Sequence, residues 1–86
     1  MDLDTLLVRY FGQTDLAAVS EEAFGAGIER LEVEFGLEQD RERRFALWSV
    51  MHMLGVAPDL AAAFKSAADQ DAARTFMDMV DRAAPP

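Results

Sequence analysis

The chain has 86 residues, no cysteine and 16 acidic against 8 basic side chains, giving a formal net charge of −8. This length fits one domain, and the absence of thiols excludes disulfide bridges and thiolate metal sites as supports for a small core. The negative charge disfavours nucleic acid and anionic lipid as partners, and no apolar run approaches the roughly 20 residues of a membrane span.

The first predicted helix begins at Asp2 or Asp4 and ends at Phe11. Its apolar residues fall on one arc of the helical wheel. They are Leu3, Leu6, Leu7, Tyr10 and Phe11. Gly12 is expected to end this helix, since glycine readily takes the left-handed conformation of a helix end. Thr14 is expected to cap the short turn that follows.

The second predicted helix begins at Ser20, a suitable N-cap, and ends at Gly36. It combines a narrow apolar stripe with an acidic outer face. The stripe contains Phe24, Ile28, Leu31 and Phe35, and the acidic face contains Glu22, Glu29, Glu32 and Glu34. Leu37 is expected to fold back onto Leu31, which is the apolar contact of a Schellman-type helix end.

Gly25 and Gly27 fall inside this second helix, where each costs about 1 kcal/mol relative to alanine. Gly27 flanks the apolar stripe, and its small size would let another helix approach closely. The alternative is that the helix begins only near Ala26. We prefer a single helix with a weak first half.

The third predicted helix runs from Asp40, its expected N-cap, to a stop at Gly55, and it carries the only Trp and the only His. Ion pairs are expected between Asp40 and Arg44 and between Glu38 and Arg41. Apolar residues nearly encircle this helix. One arc holds Leu47, Trp48, Val50, Met51 and Leu54, and the other side holds Phe45, Ala46 and Met53. The first arc is predicted core, while the other side is either covered by the N-terminal helix or exposed.

A fourth helix is predicted from Pro58 to about Ala68, and a fifth from Asp69 to Pro85, unless the two merge. The fifth has an apolar face formed by Ala73, Phe76, Met77, Val80 and Ala84. No segment shows the alternation of a strand. The sequence therefore predicts an all-α fold. We expect a small compact bundle of four to five short antiparallel helices with a central Trp-bearing helix, forming a single domain over residues 1–86.

No catalytic, cofactor or metal site is predicted. His52 lacks the nucleophile or orienting carboxylate that a catalytic histidine needs. The acidic run from Glu32 to Glu42 does not fit a calcium loop, because Leu37 occupies the glycine position and Arg43 the final glutamate position. The Gly25-Ala26-Gly27 segment lies within a helix and follows no strand, so it does not resemble a phosphate-binding loop.

Two resemblances arise from size and shape. An acidic helical domain of this length resembles an acyl carrier protein in outline, but no serine follows an aspartate here, so the attachment site for phosphopantetheine is missing. The third and fourth helices, joined at Gly55, look like a helix-turn-helix. The second helix of that pair would offer only Lys65 and Ser66 to DNA, which disfavours DNA binding.

The sequence favours a non-enzymatic protein–protein interaction or regulatory module, whose partner is another protein or a second copy of the chain. The apolar residues without an assigned core position and their polar neighbours form the expected surface. They are Phe45, Met53, Met79, Arg41, Arg44 and His52. One alternative is a small-molecule pocket beside Trp48, His52 and Tyr10, and another is nucleic-acid binding through the arginine cluster. Because the bases are almost all arginine and alanine is abundant, as in GC-rich bacterial genomes, we expect a bacterial protein. Because residues 1–4 lack the basic and apolar regions of a signal peptide and no run is long enough to span a membrane, we expect it in the cytoplasm.

Overall fold

The computed structural model describes residues 2–83, and every regular element within this range is helical. The elements are α1 (Leu3–Phe11), a short 3₁₀ helix (Leu16–Ala18), α2 (Glu21–Leu37), α3 (Arg41–Met53), α4 (Leu60–Ala63) and α5 (Ala67–Ala83). The predicted all-α class with four to five helices is confirmed. The predicted helix end at Pro85, and Ala84 on the last apolar face, lie outside the described residues.

The chain divides into two compact units, one ending at Leu47 and the other starting at Trp48. The first contains α1, the 3₁₀ helix, α2 and the first half of α3. The second contains the rest of α3 together with α4 and α5. The single domain expected from the length stays a prediction.

In the first unit α1 packs against α2. The Asp2 carboxylate accepts the backbone N–H of Thr5 at 2.9 Å, and Gly12 ends α1 with a φ of 82°, as predicted. The buried side chains of α1 and α2 are Leu6, Leu7, Tyr10, Phe11, Leu31 and Phe35. The 3₁₀ helix is capped by Asp15, whose carboxylate accepts the N–H of Ala17, and not by Thr14. The prediction for Thr14 was wrong because a carboxylate one residue later reaches the same orphan N–H groups.

Gly27 lies where α1 comes closest to α2. A Cβ atom on Gly27 would lie 2.5 Å from two ring carbons of Phe11 and 2.6 Å from the carbonyl oxygen of Tyr10. Real Cβ atoms do not approach other atoms so closely, so only glycine fits here. One continuous α2 begins after Ser20, whose hydroxyl accepts the N–H of Ala23 at 3.1 Å. The prediction of a close helix approach at Gly27 is confirmed, and the later start near Ala26 is excluded.

The predicted end of α2 at Gly36 was wrong. The helix continues to Leu37 and ends at an extended Glu38, while Gly36 has no positive φ. Leu37 is 76% exposed and does not pack on Leu31, which is itself fully buried. The reason is Arg44, whose guanidinium donates to the carbonyl oxygens of Phe35 at 2.8 Å and Glu38 at 3.0 Å. These bonds satisfy carbonyl groups at the helix end. In a helix end that uses glycine, backbone N–H groups beyond the helix would donate to such carbonyls.

α3 begins as predicted, because the Asp40 carboxylate accepts the N–H of Arg43 at 2.9 Å. Its end also follows the prediction, with Gly55 at a φ of 78° and the Val56 N–H donating to the Met51 carbonyl at 2.9 Å. This last bond is the long-range bond of a Schellman motif. The chain therefore leaves the helix at Gly55, and the residues from Val56 to Pro58 are not helical.

The boundaries predicted for the last two helices were wrong. α4 ends at Ala63, since Phe64 is extended and its carbonyl accepts the side-chain amide of Gln70 at 2.9 Å. α5 starts at Ala67, two residues before the predicted Asp69. The hydroxyl of Ser66 caps it by accepting the N–H of Asp69 at 3.1 Å. Local side-chain bonds therefore set these limits, and periodicity did not reveal them.

Candidate functional site

The six residues of the predicted interaction surface differ in exposure. Arg41 is exposed, and so are Met53 at 51% and Met79 at 64%. Arg44, Phe45 and His52 are half-buried. On the second side of α3, Met53 is therefore exposed, whereas Phe45 is half-buried.

Arg44 serves the fold of the first unit. Besides its two bonds to backbone carbonyls, its guanidinium carbon lies 4.2 Å from the centre of the Phe35 ring. A cation over an aromatic face and at the negative end of a helix is stabilised by both. Arg44 thus anchors the start of α3 to the end of α2.

An aromatic cluster fills the second unit around Trp48, which is 1% exposed. The His52 ring stacks on the indole with centroids 5.3 Å apart. Phe64 and Phe76 meet the indole edge-on at 5.6 and 6.0 Å. The indole N–H donates to the Pro58 carbonyl at 3.4 Å. These side chains surround the indole ring, and the predicted ligand pocket beside Trp48, His52 and Tyr10 stays a prediction.

The first unit carries a shallow depression of about 190 Å³. It is lined by Arg9, Tyr10, Glu34, Leu37, Glu38, Arg43 and Leu47. Two ion pairs cross it, from Arg9 to Glu34 and from Arg43 to Glu38, each with an N–O distance of 3.2 Å. The depression therefore holds two positive and two negative side chains that already neutralise each other.

Tyr10 and Glu34 influence each other's pKa within this depression. Burial, followed by interaction with Glu34, raises the pKa of Tyr10 to about 12. The Tyr10 hydroxyl and then Arg9 lower the pKa of Glu34, against the effect of burial. Oε2 of Glu34 is buried and accepts no direct hydrogen bond from the described residues.

These pKa directions bear on chemistry. At neutral pH Tyr10 stays a neutral phenol and Glu34 stays a carboxylate, because both pKa values move away from 7. A general acid or base works best with a pKa near the operating pH. The depression is therefore suited to charge pairing and poorly suited to proton transfer. Among residues 2–83 no three His, Asp or Glu side chains cluster as a metal site.

Val33 and Leu37, the two most exposed large apolar side chains described in the first unit, lie on the outer side of α2. The exposed residues on this side follow one another at spacings of four, three, four and three positions, with Leu37 beside the last. We call this set the outer face of α2: Glu22, Ala26, Glu29, Val33, Gly36 and Leu37. Val33 is 61% exposed and Leu37 is 76% exposed. Leu37 also lines the depression, so the two features adjoin.

Sequence reasoning missed both features for identifiable reasons. The depression joins Arg9 to Glu34 across 25 positions of sequence, and a helical wheel treats each helix alone. Glu34 was assigned to a solvated acidic face, although it points toward α1. Val33 lies outside the apolar stripe predicted for α2, so the helical wheel gave it no packing role. An apolar residue among the glutamates of an outer face is the signal that could have revealed it.

The chain's own geometry is the basis for a functional proposal. No protein-family model, no curated protein and no solved structure matches this chain. Within residues 2–83 no helix has both the length and the apolar character needed to cross a membrane.

Proposed function

We propose that this protein is a non-enzymatic protein–protein interaction or regulatory module acting in the bacterial cytoplasm. The supporting observation is a set of large apolar side chains left at the surface of a small, highly charged chain. Val33 and Leu37 are exposed in the first unit, and Met53 and Met79 in the second. Apolar groups exposed to water raise the free energy of the system, and covering them with a partner lowers it. Methionine suits such a surface, since its flexible side chain adapts to different partners.

A catalytic role has less support. The ionisable residues of the depression are paired with each other, and the pKa values of Tyr10 and Glu34 lie away from neutrality. The His52 ring stacks on Trp48 with centroids 5.3 Å apart and meets Phe76 edge-on at 6.2 Å. A ring held in this way contributes to packing.

Small-molecule binding also has less support. Trp48, the centre of the expected pocket, is enclosed by aromatic neighbours. The depression beside Tyr10 measures about 190 Å³. Ligand sites usually occupy about 300–1,000 Å³. Nucleic-acid binding has less support as well. Two arginines of the cluster already have partners within the chain, because Arg43 is paired with Glu38 and Arg44 donates to backbone carbonyls.

The test compares partners retained by the wild-type chain and by surface variants. Tagged protein is cross-linked in a lysate of its own host, and the retained proteins are identified. Met53→Glu with Met79→Glu should keep the helical circular dichroism of the wild type and lose a retained partner. Phe45→Glu tests the half-buried member of the predicted surface in the same way.

Light scattering during size exclusion shows whether a second copy is the partner. A dimer that the methionine double variant dissociates would support self-association. A strict monomer whose surface variants fold normally and keep every retained protein would end the proposal. A thermal shift with a metabolite panel, together with quenching of Trp48 fluorescence, would instead favour the small-molecule alternative.

A further inference from the structure

The outer face of α2 carries both charge and apolar surface. Glu22 and Glu29 are exposed, and no ion pair to either forms within residues 2–83. Val33 and Leu37 lie four positions apart, so their side chains are neighbours on one side of the helix. The face thus has an acidic amino-terminal half and an apolar carboxyl-terminal half.

Two glycines leave this side of α2 flat. A Cβ atom on Gly25 or on Gly36 would meet nothing within 4 Å. Neither residue has a positive φ, so neither the packing nor the backbone of this chain requires glycine there. Glycine weakens a helix interior relative to alanine. A backbone without side chains at Gly36 lets a partner approach Val33 and Leu37 closely.

The spacing of the outer face matches the pairing of two helices. Glu22, Ala26, Glu29, Val33 and Gly36 share one side of α2, at the spacings of four and three positions at which packed helices contact each other. Unlike the apolar seam of a coiled coil, this row holds one large apolar residue, Val33, with Leu37 beside it. The row is short, spanning most of one 17-residue helix. Its occupant should therefore be a single helix of similar length.

We infer that the outer face of α2 docks a cationic amphipathic helix of another protein, an inference that rests on the proposed function and names the partner's chemistry. Lysine or arginine side chains of that helix lie opposite Glu22 and Glu29. Its apolar side chains cover Val33 and Leu37 and fill the space over Gly36. The net charge of −8 steers such a cation toward the chain.

The outer face of α2 in a second copy of this chain carries no lysine or arginine that could pair with Glu22 and Glu29. In a parallel pair the glutamates of one copy would face the same glutamates of the other. In an antiparallel pair centred on Glu29, the two Glu29 side chains would still meet, and Glu22 would lie against Gly36. Like charges at a helix seam destabilise the pair, and both copies carry the same net charge of −8.

The experiment measures binding of synthetic peptides to the full chain by fluorescence anisotropy. Two labelled helical peptides carry lysines opposite Glu22 and Glu29 and leucines opposite Val33 and Leu37, one for each strand direction. A third peptide has the same composition in scrambled order. One designed peptide should bind at least about tenfold more tightly than the scrambled one, since only it places charge and apolar groups in register.

Matched variants locate the binding. Val33→Ser with Leu37→Ser should weaken it at least about tenfold, whereas Val8→Ser, at an exposed position of α1, should leave it unchanged. The double variant Glu22→Gln with Glu29→Gln should reduce the salt dependence of peptide binding. The control double variant, Asp4→Asn with Glu42→Gln, removes the same charge elsewhere and should reduce this salt dependence less. Circular dichroism checks that every variant keeps its helices.

Three results would overturn the inference: no binding of either designed peptide, equal binding of the scrambled one, or unchanged binding by the Val33 and Leu37 double variant. A wild-type dimer dissociated by that double variant would also overturn it, because a second copy would then cover the face. If the peptides fail while Met53→Glu with Met79→Glu loses a retained partner, the proposed function stands without this inference.

Discussion

The two sides of α2 use glycine in opposite ways. On the inner side Gly27 is buried, and any side chain there would strike the Phe11 ring and the Tyr10 carbonyl. On the outer side Gly36 is exposed, and a side chain there would meet nothing. One glycine is required for the packing of α1 on α2, and the other is not required by any contact within the described residues.

Glycine inside a helix therefore has no single structural role. Its free-energy cost to the helix is the same on both sides, about 1 kcal/mol relative to alanine. At Gly27 that cost is offset by close packing of two helices. At Gly36 no close packing within the described residues offsets this cost. We therefore infer that the close approach of a partner offsets it.

The largest effect is expected from Gly27→Ala. The new methyl group would overlap ring atoms and a backbone carbonyl, and the carbonyl cannot move without shifting α1. Overpacking of this kind costs about 1–3 kcal/mol, and the gain in helix propensity offsets only part of it. We expect a net loss of up to about 2 kcal/mol in the free energy of unfolding, measured with urea. Wild-type stability in this variant would show that the two helices are not tightly packed.

The next effect concerns the anchor at the end of α2. Arg44→Met keeps the aliphatic stem and removes the donors to the Phe35 and Glu38 carbonyls. We expect a loss of about 1.5 kcal/mol, since these are charge-assisted bonds to carbonyls at a helix end. Arg43→Met is the control, because it breaks only the exposed pair with Glu38 and should cost less than about 0.5 kcal/mol. Equal losses for the two variants would remove the special role of Arg44.

The outer glycines should respond with the opposite sign. Gly25→Ala and Gly36→Ala add a methyl group to open space on a helix whose backbone already has negative φ at both positions. Each should raise the unfolding free energy by about 0.5–1 kcal/mol, because alanine favours the helix and restricts the unfolded chain. Thermal unfolding of both single variants checks this. A loss of stability at Gly36 would mean that the outer face packs against the chain itself.

The smallest effect is the acid response of Glu34 on the inner side. Its pKa in the folded chain lies below the ordinary value of 4.5, so folding favours the carboxylate. The stabilisation is therefore present at neutral pH and is lost as the pH falls below about 4.5 toward the folded-state pKa. Glu34→Gln should destabilise by less than about 1 kcal/mol at neutral pH, since the pair is partly exposed. This difference should shrink in acid, and a difference that stays constant would contradict the assignment.

Much of the fold could be predicted from the sequence. Ser20 and Asp40 were the predicted starts of the second and third helices, and Asp2 was one of the two predicted starts of the first. The structure shows all three as caps. Gly12 and Gly55 end helices with positive φ, as expected. These signals are local, because a cap acts on backbone groups three or four residues away.

The rest depended on contacts between distant residues. Gly36 looked like a helix end, but Arg44 satisfies the carbonyls there from another helix. Arg9, Tyr10 and Glu34 form one charged group only after α1 lies on α2. Of the predicted interaction surface, Met53 and Met79 are exposed, and Arg44 also stabilises the fold through its contacts with α2. The interaction itself stays a prediction.

The variant Gly36→Gln tests most directly the claim that the inner side of α2 builds the fold and the outer side receives a partner. The unfolding free energy and the affinity for the designed lysine–leucine peptide are measured on the same sample. We predict a stability equal to or above that of the wild type, because glutamine favours a helix over glycine, and an affinity at least about tenfold lower, because the side chain fills the seam. A variant that loses stability, or that binds the peptide as the wild type does, would contradict the account.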